Sequence, residues 1–259
     1  MLKRMKWLLF LGLALGLSAY RPADAQTLDT IRQSKIIRLG YIADEKPFSF
    51  KKADGSPAGY AIDLCRRIAD EVGLNVSGLK KNYIETTLSD GFGAVKDGKI
   101  DLLCGATTIN LARRESVDFS QPIFLTGASA LLRKDSPDYL QILFLDKRPV
   151  SAVDLKSPAQ SSIGVRAGTT TGATLRDAIG PDVPQTRIVD FPTHEDGLKA
   201  LEDHKIDAYF ADRSLLIGLA DRAGNPSELE LGSRFSHTSP MASRSGATIP
   251  PSGFSSTAR

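Results

Sequence analysis

A twelve-residue pattern occurs twice in this chain, 106 positions apart, and it narrows the available folds more than any other feature. Residues 90–101 read D-G-F-G-A-V-K-D-G-K-I-D, and residues 196–207 read D-G-L-K-A-L-E-D-H-K-I-D. Asp, Gly, Ala, Asp, Lys, Ile and Asp coincide in identity, while Phe92/Leu198 and Val95/Leu201 coincide in character. Each copy reads as a helix, a tight turn and an apolar strand, Leu102-Leu103-Cys104 in one case and Ala208-Tyr209-Phe210 in the other. Two unrelated amphipathic helices would share spacing but not the turn. The pattern therefore predicts two α/β lobes of similar construction.

The remaining segments fill out those lobes. Ile36–Ile42 reads as a buried strand, and a helix is expected from Ile62, where Leu64, Cys65, Ile68, Ala69 and Val72 recur before Gly73. Leu88–Asp97 predicts a second helix, weakened by Gly91 and Gly93, and Asp101–Ala106 a buried strand. In the second lobe Ser162–Val165 and Arg187–Val189 read as strands and Thr171–Ala178 as a helix, while Thr193 is a good N-cap with Asp196 three residues on. Asp135–Ser157 reads as irregular polar surface. The boundaries expected are 27–125 for lobe 1, 126–132 for a hinge strand, 133–227 for lobe 2, 228–235 for a return crossing and 236–259 for a tail.

Residues 1–25 have the pattern of a secretory signal. Lys3, Arg4 and Lys6 precede the uncharged run Trp7–Ala19, and Ala23-Asp24-Ala25 supplies small residues before the expected cleavage. The run is short of the ~20 residues of a membrane span, although an uncleaved anchor is the alternative. Cleavage removes four basic residues (Lys3, Arg4, Lys6, Arg21) and one acidic residue (Asp24), so 33 basic and 30 acidic residues become 29 of each. The formal charge of +3 thus belongs to the leader, and no basic stripe remains to hold nucleic acid. Cys65 and Cys104 could form one disulfide in an exported protein or stay as two buried thiols. Two cysteines and three histidines do not suggest a zinc site, and no metal or cofactor is expected.

Open α/β lobes place ligands at the carboxyl ends of their strands. Three groups stand there. Cys104-Gly105-Ala106-Thr107-Thr108 followed by Arg113 offers hydroxyl, backbone N–H and guanidinium donors to a carboxylate. Ala167-Gly168-Thr169-Thr170-Thr171 opens a helix, which favours an anion. Asp212 offers an acceptor for an ammonium group. Each alone is more readily a turn, a solvated arginine pair or a helix cap; together they complement a free amino acid. His194, His204 and His237 are the only histidines, and G-x-S-x-G, Walker A and H-E-x-x-H patterns are absent, so catalysis is not expected.

These residues carry a resemblance to the family 3 periplasmic solute-binding proteins, the polar amino acid receptors of ABC importers, closest to their glutamate/aspartate-binding branch. It runs in order from about Ile31 to Arg234, through Gly40-Tyr41, Pro47-Phe48-Ser49-Phe50, Gly59–Leu64, Asp101–Arg114, Val117–Pro122, Gly168-Thr169-Thr170, Thr193-His194 and Ala208–Asp212. The resemblance implies a two-lobed, type II periplasmic-binding-protein-like α/β fold, each lobe a mixed sheet flanked by helices, with the ligand cleft between. It implies a non-catalytic, monomeric periplasmic receptor that captures an amino acid by hinge closure and delivers it to a membrane permease. A dehydratase of arogenate- or prephenate-like compounds, or a detached sensor domain, are the other readings of the same fold. By the family pattern Arg113 and Thr108 hold the ligand carboxylate with backbone groups near Ala106, Thr169 and Thr170, Asp212 holds the ammonium, Phe50 packs on the ligand and His194 approaches from lobe 2. The Cys65/Cys104 pair resembles a disulfide of this branch.

Two positions depart from the acidic-ligand relatives: Ile42 and Gly91 stand where those carry arginine. A buried side-chain carboxylate without a cation costs several kcal/mol, so the expected ligand is neutral or differently charged. The end of the chain also departs, since residues 236–259 show neither helical nor strand period and the family's last elements are expected to be missing or altered. Read one nucleotide earlier, codons for Pro251–Ala258 admit an apolar x-F-R-L-F-V-D-R segment of the kind the family carries there, which suggests a shifted frame.

Overall fold

The computed structural model describes residues 24–145, 161–179, 186–233 and 238–245. The elements are α1 (Asp24–Ser34), β1 (Ile36–Tyr41), β2 (Asp44–Glu45), β3 (Ser49–Lys51), β4 (Pro57–Ala58), α2 (Tyr60–Asn75), β5 (Lys80–Glu85), α3 (Leu88–Lys96), β6 (Leu102–Thr108), α4 (Leu111–Arg114), β7 (Asp118–Phe119) and β8 (Phe124–Arg133). After these come α5 (Asp138–Leu145), β9 (Ser161–Arg166), α6 (Thr170–Ile179), β10 (Thr186–Phe191), α7 (His194–Glu202), β11 (Ala208–Asp212), α8 (Arg213–Ala220), β12 (Leu229–Leu231) and β13 (Thr238–Ser245). Residues 1–23 of the expected leader and 246–259 of the expected tail, with the frame-shift candidate Pro251–Ala258, lie outside the described residues. Among the described residues no helix is long and apolar enough to cross a membrane.

The repeat is reproduced hydrogen bond for hydrogen bond. Thr87 and Thr193 cap α3 and α7 by accepting from the N–H groups of Asp90 and Asp196. After the helices, Lys99 donates to Ala94 and Lys205 to Ala200, and Asp101 donates to Arg38 of β1 as Asp207 does to Ser162 of β9. The carboxylates of Asp101 and Asp207 return the bond, accepting from the Arg38 and Ser162 N–H groups at 2.8 Å each. Where the first turn uses Gly98 at φ 66°, the second holds His204 at φ 57°. That shared turn delivers β6 and β11 into the middle of their lobes, with their carboxyl ends toward one cleft.

A continuous sheet runs through both lobes in the order β10-β9-β11-β8-β13-β6-β1-β5. Strand β8 belongs to both: Phe124–Gly127 pair with β13 and Ala128–Leu132 pair with β11. Apolar clusters cover each face, with Ile37, Leu39, Ile62 and Cys65 on one side of lobe 1 and Ile42, Val95, Ile100 and Leu103 on the other. Lobe 2 repeats the arrangement around Ile163, Val165 and Phe210, and around Leu198, Leu201 and Tyr209. The lobes touch at their rims, where Phe48 packs with Ala61 and Leu215. Close by, a Cβ on Gly218 of α8 would stand 2.7 Å from the Lys46 carbonyl oxygen of lobe 1.

Two expectations are corrected. Within the stretch read as irregular surface, Asp138–Leu145 forms α5, because Leu140 and Phe144, one helical turn apart, pack into the lobe 2 core, and Ile142 is buried as well. Within the stretch read as a tail, Thr238–Ser245 forms β13, antiparallel to β6, β7 and β8. The flanking strands supply that order through backbone pairing, which does not require side-chain alternation. Pro240, which has no N–H, sits opposite Leu125, and the register shifts between Ala242 and Arg244.

Cys65 of α2 and Cys104 of β6 form a disulfide with Cα atoms 6.2 Å apart, closing a separation of 39 residues. Both are fully buried, so the link pins the helix to the sheet. Replacing both by Ala is expected to cost about 2–4 kcal/mol, mostly by freeing the unfolded chain. Urea titration of the double variant against the oxidised protein measures it, and an unchanged midpoint would refute it.

Candidate functional site

The lobe 1 wall is set by the end of β6. The Asn110 side chain accepts the Arg113 N–H at 2.8 Å, starting the single turn of α4 that carries Arg113 back over the strand. The Arg113 guanidinium donates to the Thr108 carbonyl at 2.8 Å and lies 4.8 Å from the centre of the Phe92 ring. In lobe 2, β9 ends at Arg166, and Gly168 at φ 72° turns the chain into α6. The Thr169 hydroxyl donates to the Arg166 carbonyl and accepts from the Gly172 N–H. Thr170 then reaches across the cleft and donates to the Thr108 hydroxyl at 3.1 Å.

Asp212, at the end of β11, is 5% exposed, and its Oδ1 has no hydrogen-bond partner among the described residues. Although it precedes α8, its side chain does not cap the helix. Burial pushes its carboxyl up to about 6, against the pull of Arg113. A buried acceptor left open is costly, and its sequence position at a strand end in the cleft gives it a use.

Ala106, Thr108, Arg113, Thr169, Thr170, His194 and Asp212 line one cavity of about 20 Å³, together with Glu45 and Arg166. That is room for about one water. Phe50 is not brought there. Along β3, Ser49 turns inward to accept the Ile42 N–H, so Phe50 turns the other way, beneath Lys46 Nζ at 5.2 Å. The aromatic ring buried beside the cleft is Phe48, 2% exposed and 5.0 Å from the Phe124 ring.

Sequence reasoning missed the groups that fill the cleft: Asp44, Glu45 and Arg166. The Arg166 guanidinium crosses from lobe 2 to meet Glu45 Oε1 at 3.2 Å and Asp44 Oδ1 at 2.9 Å. The second oxygen of each carboxylate is held by backbone: Glu45 Oε2 accepts the Ala106 N–H at 2.9 Å, and Asp44 Oδ2 accepts the His194 N–H at 3.0 Å. Gly105 makes the approach possible, since a Cβ there would stand 2.9 Å from Glu45 Oε2. Burial raises the Glu45 carboxyl to about 7, opposed by Arg166 and the Ala106 N–H. His194 bonds through Nδ1 to the Tyr209 hydroxyl at 3.0 Å, and burial, then Arg166 and Arg222, push its pKa down to about 3, so the ring is neutral. The signal was present as two adjacent acids three residues beyond the end of β1 and an arginine closing β9, both at cleft-facing ends.

The missing cations at 42 and 91 are explained by packing. Ile42 is 1% exposed in the lobe 1 core, and a Cβ on Gly91 would stand 3.0 Å from Leu103 Cδ2. A second cation reaches the cleft from another position, because Arg166 supplies one from the opposite lobe.

Residues 37–217 match the family described as bacterial extracellular solute-binding proteins, family 3. The glutamate/aspartate import solute-binding protein of Salmonella typhimurium is 29% identical over 231 residues, 86% of this chain and 71% of that one. The crystal structure of the ancestral amino acid-binding protein AncCDT-1, a precursor of cyclohexadienyl dehydratase, is similar with a TM-score of 0.66 at 27% identity, covering 85% of each chain. A putative binding component of an ABC transporter from Wolinella succinogenes, complexed with lysine, shares the fold with a TM-score of 0.69 at 19% identity, covering 84% of each chain. On the match of residues 37–217, together with this two-lobed α/β architecture, the chain belongs to family 3 of the bacterial extracellular solute-binding proteins.

Proposed function

We propose that this protein captures a free amino acid by closing its two lobes and delivers it, as a periplasmic monomer without catalysis, to the permease of an ABC importer. The observation that carries this reading is that Asp212 and Arg113 line one cavity from opposite lobes. A buried carboxylate with an open oxygen in one lobe faces a guanidinium fixed by the other, complementary to the ammonium and carboxylate of one zwitterion. Because each end of the ligand is held by a different lobe, binding favours the closed state by its differential affinity for that state. The names of the relatives, glutamate/aspartate import and amino acid binding among them, support the same reading.

Calorimetry of the full chain against the common amino acids tests it. Saturable binding of at least one is expected, and binding of none would reject the receptor. Affinity is also expected to fall as pH drops through about 6, where Asp212 takes up the proton that cancels its charge. An affinity flat from pH 5 to 8 would remove Asp212 from the ammonium site.

One observation favours a second reading, a dehydratase on the same scaffold: a cleft carboxyl raised to about 7, as at Glu45, suits acid–base work. The receptor is preferred because both oxygens of Glu45 are engaged, by Arg166 and by the Ala106 N–H. Product formed from a prephenate- or arogenate-like compound would reverse that preference.

A further inference from the structure

Resting on the receptor reading, we propose that Arg166 is a built-in stand-in for the ligand's side chain: its guanidinium sits in a cation subsite made by Glu45 and Asp44, and the amino acid taken by this cleft carries a cationic side chain that displaces it. The subsite is preformed. Each carboxylate keeps one oxygen on a backbone N–H, Ala106 for Glu45 and His194 for Asp44, and presents the other to Arg166. The Ala106 bond lies within lobe 1 and does not depend on Arg166, and the His194 bond re-forms whenever the lobes close, so the closed cleft presents two carboxylate oxygens in a fork suited to a guanidinium or an ammonium group. Glu45 and Arg166 are 2% and 4% exposed, so this is an interior site.

Charge counting selects the class of ligand. Around the cavity stand the carboxylates of Asp44, Glu45 and Asp212 and the guanidinium groups of Arg113 and Arg166, while His194 is committed to Tyr209. A zwitterion uses Arg113 and Asp212. What remains is two carboxylates against one guanidinium, a net negative charge that favours a cationic side chain over a neutral or an acidic one. An acidic side chain would instead add a negative charge beside Asp44 and Glu45, with Arg166 already divided between them. Burying that surplus charge costs several kcal/mol. Space requires the displacement itself, because only about 20 Å³ is open while Arg166 lies in the cleft.

The test is calorimetry of the full-length protein with L-arginine, L-lysine, L-glutamine and L-glutamate, on the wild type, Glu45→Gln and Arg166→Leu, each checked for folding by circular dichroism. Arginine or lysine should bind about tenfold or more tighter than glutamine, with glutamate weakest. Arg166→Leu should tighten the cationic ligand about tenfold, and Glu45→Gln should weaken it by at least as much. If Arg166→Leu does not fold, the ligand order on the wild type and on Glu45→Gln decides. A neutral or acidic amino acid that binds as tightly as the cationic ones overturns the subsite and leaves the receptor standing. Glutamate binding abolished by Arg166→Leu would make Arg166 a carboxylate clamp and would likewise overturn the subsite alone. Binding of no amino acid by any form rejects receptor and subsite together.

Discussion

Arg166→Ala is expected to open the cleft. In the closed form Arg166 is the side chain that joins Asp44 and Glu45 of lobe 1 to lobe 2, and all three are largely buried. Removing one partner of a buried ion pair costs about 3–5 kcal/mol, because the opposite charges are left without solvent or counterion. Here the molecule has a cheaper response than unfolding. Turning the lobes apart about β8 returns water to both carboxylates while the apolar clusters within each lobe stay intact. The loss should therefore appear as a larger radius of gyration in solution scattering and as faster amide exchange at Thr108 and Thr170, with little change in far-UV dichroism. Scattering identical to that of the wild type would show that other contacts hold the closed form. A cationic amino acid added to the open variant should close it again.

Asp212→Ala should separate affinity from stability. Losing the acceptor of a buried ammonium costs about 2–5 kcal/mol of binding, which is roughly 30-fold to several thousand-fold in Kd. The fold should respond in the opposite sense. The carboxyl is raised in the folded protein from an ordinary 3.8 to about 6, so between those values the folded chain holds more protons than the unfolded one. Stability from this group is therefore greatest at low pH and falls as pH rises from about 4 to about 6. Above pH 6 the buried charge is a standing cost, and the Ala variant should melt at the same temperature or higher. A Kd within a factor of two of the wild type, or a large drop in melting temperature at pH 7.5, would contradict the assignment.

Local pattern carried much of this protein. The repeat announced two lobes, and its turn was readable because each of its residues has a local duty, from the Thr87 and Thr193 caps to the strand-binding Asp101 and Asp207. Arg113 and Asp212 were legible as groups at strand ends. The Arg166–Glu45 bridge was not, since its partners lie 121 residues apart and nothing near either names the other. Phe48 and Phe50 are two positions apart, and it is the turn at 46–48, ahead of β3, that buries Phe48 while Phe50 stays half-buried on the strand. Strand β13 was hidden for a different reason: its order comes from the backbones of β6 and β8, which its own residue pattern does not encode.

The bare face of α8 at Gly218 sets a limit on how far the molecule can shut. Main chain meets main chain there, with 2.7 Å between a hypothetical Cβ and the Lys46 oxygen. A residue with a side chain at 218 would have to hold α8 farther from Lys46 and so keep the lobes wider apart. Gly218→Leu should therefore leave each lobe folded while shifting solution scattering toward a more open molecule.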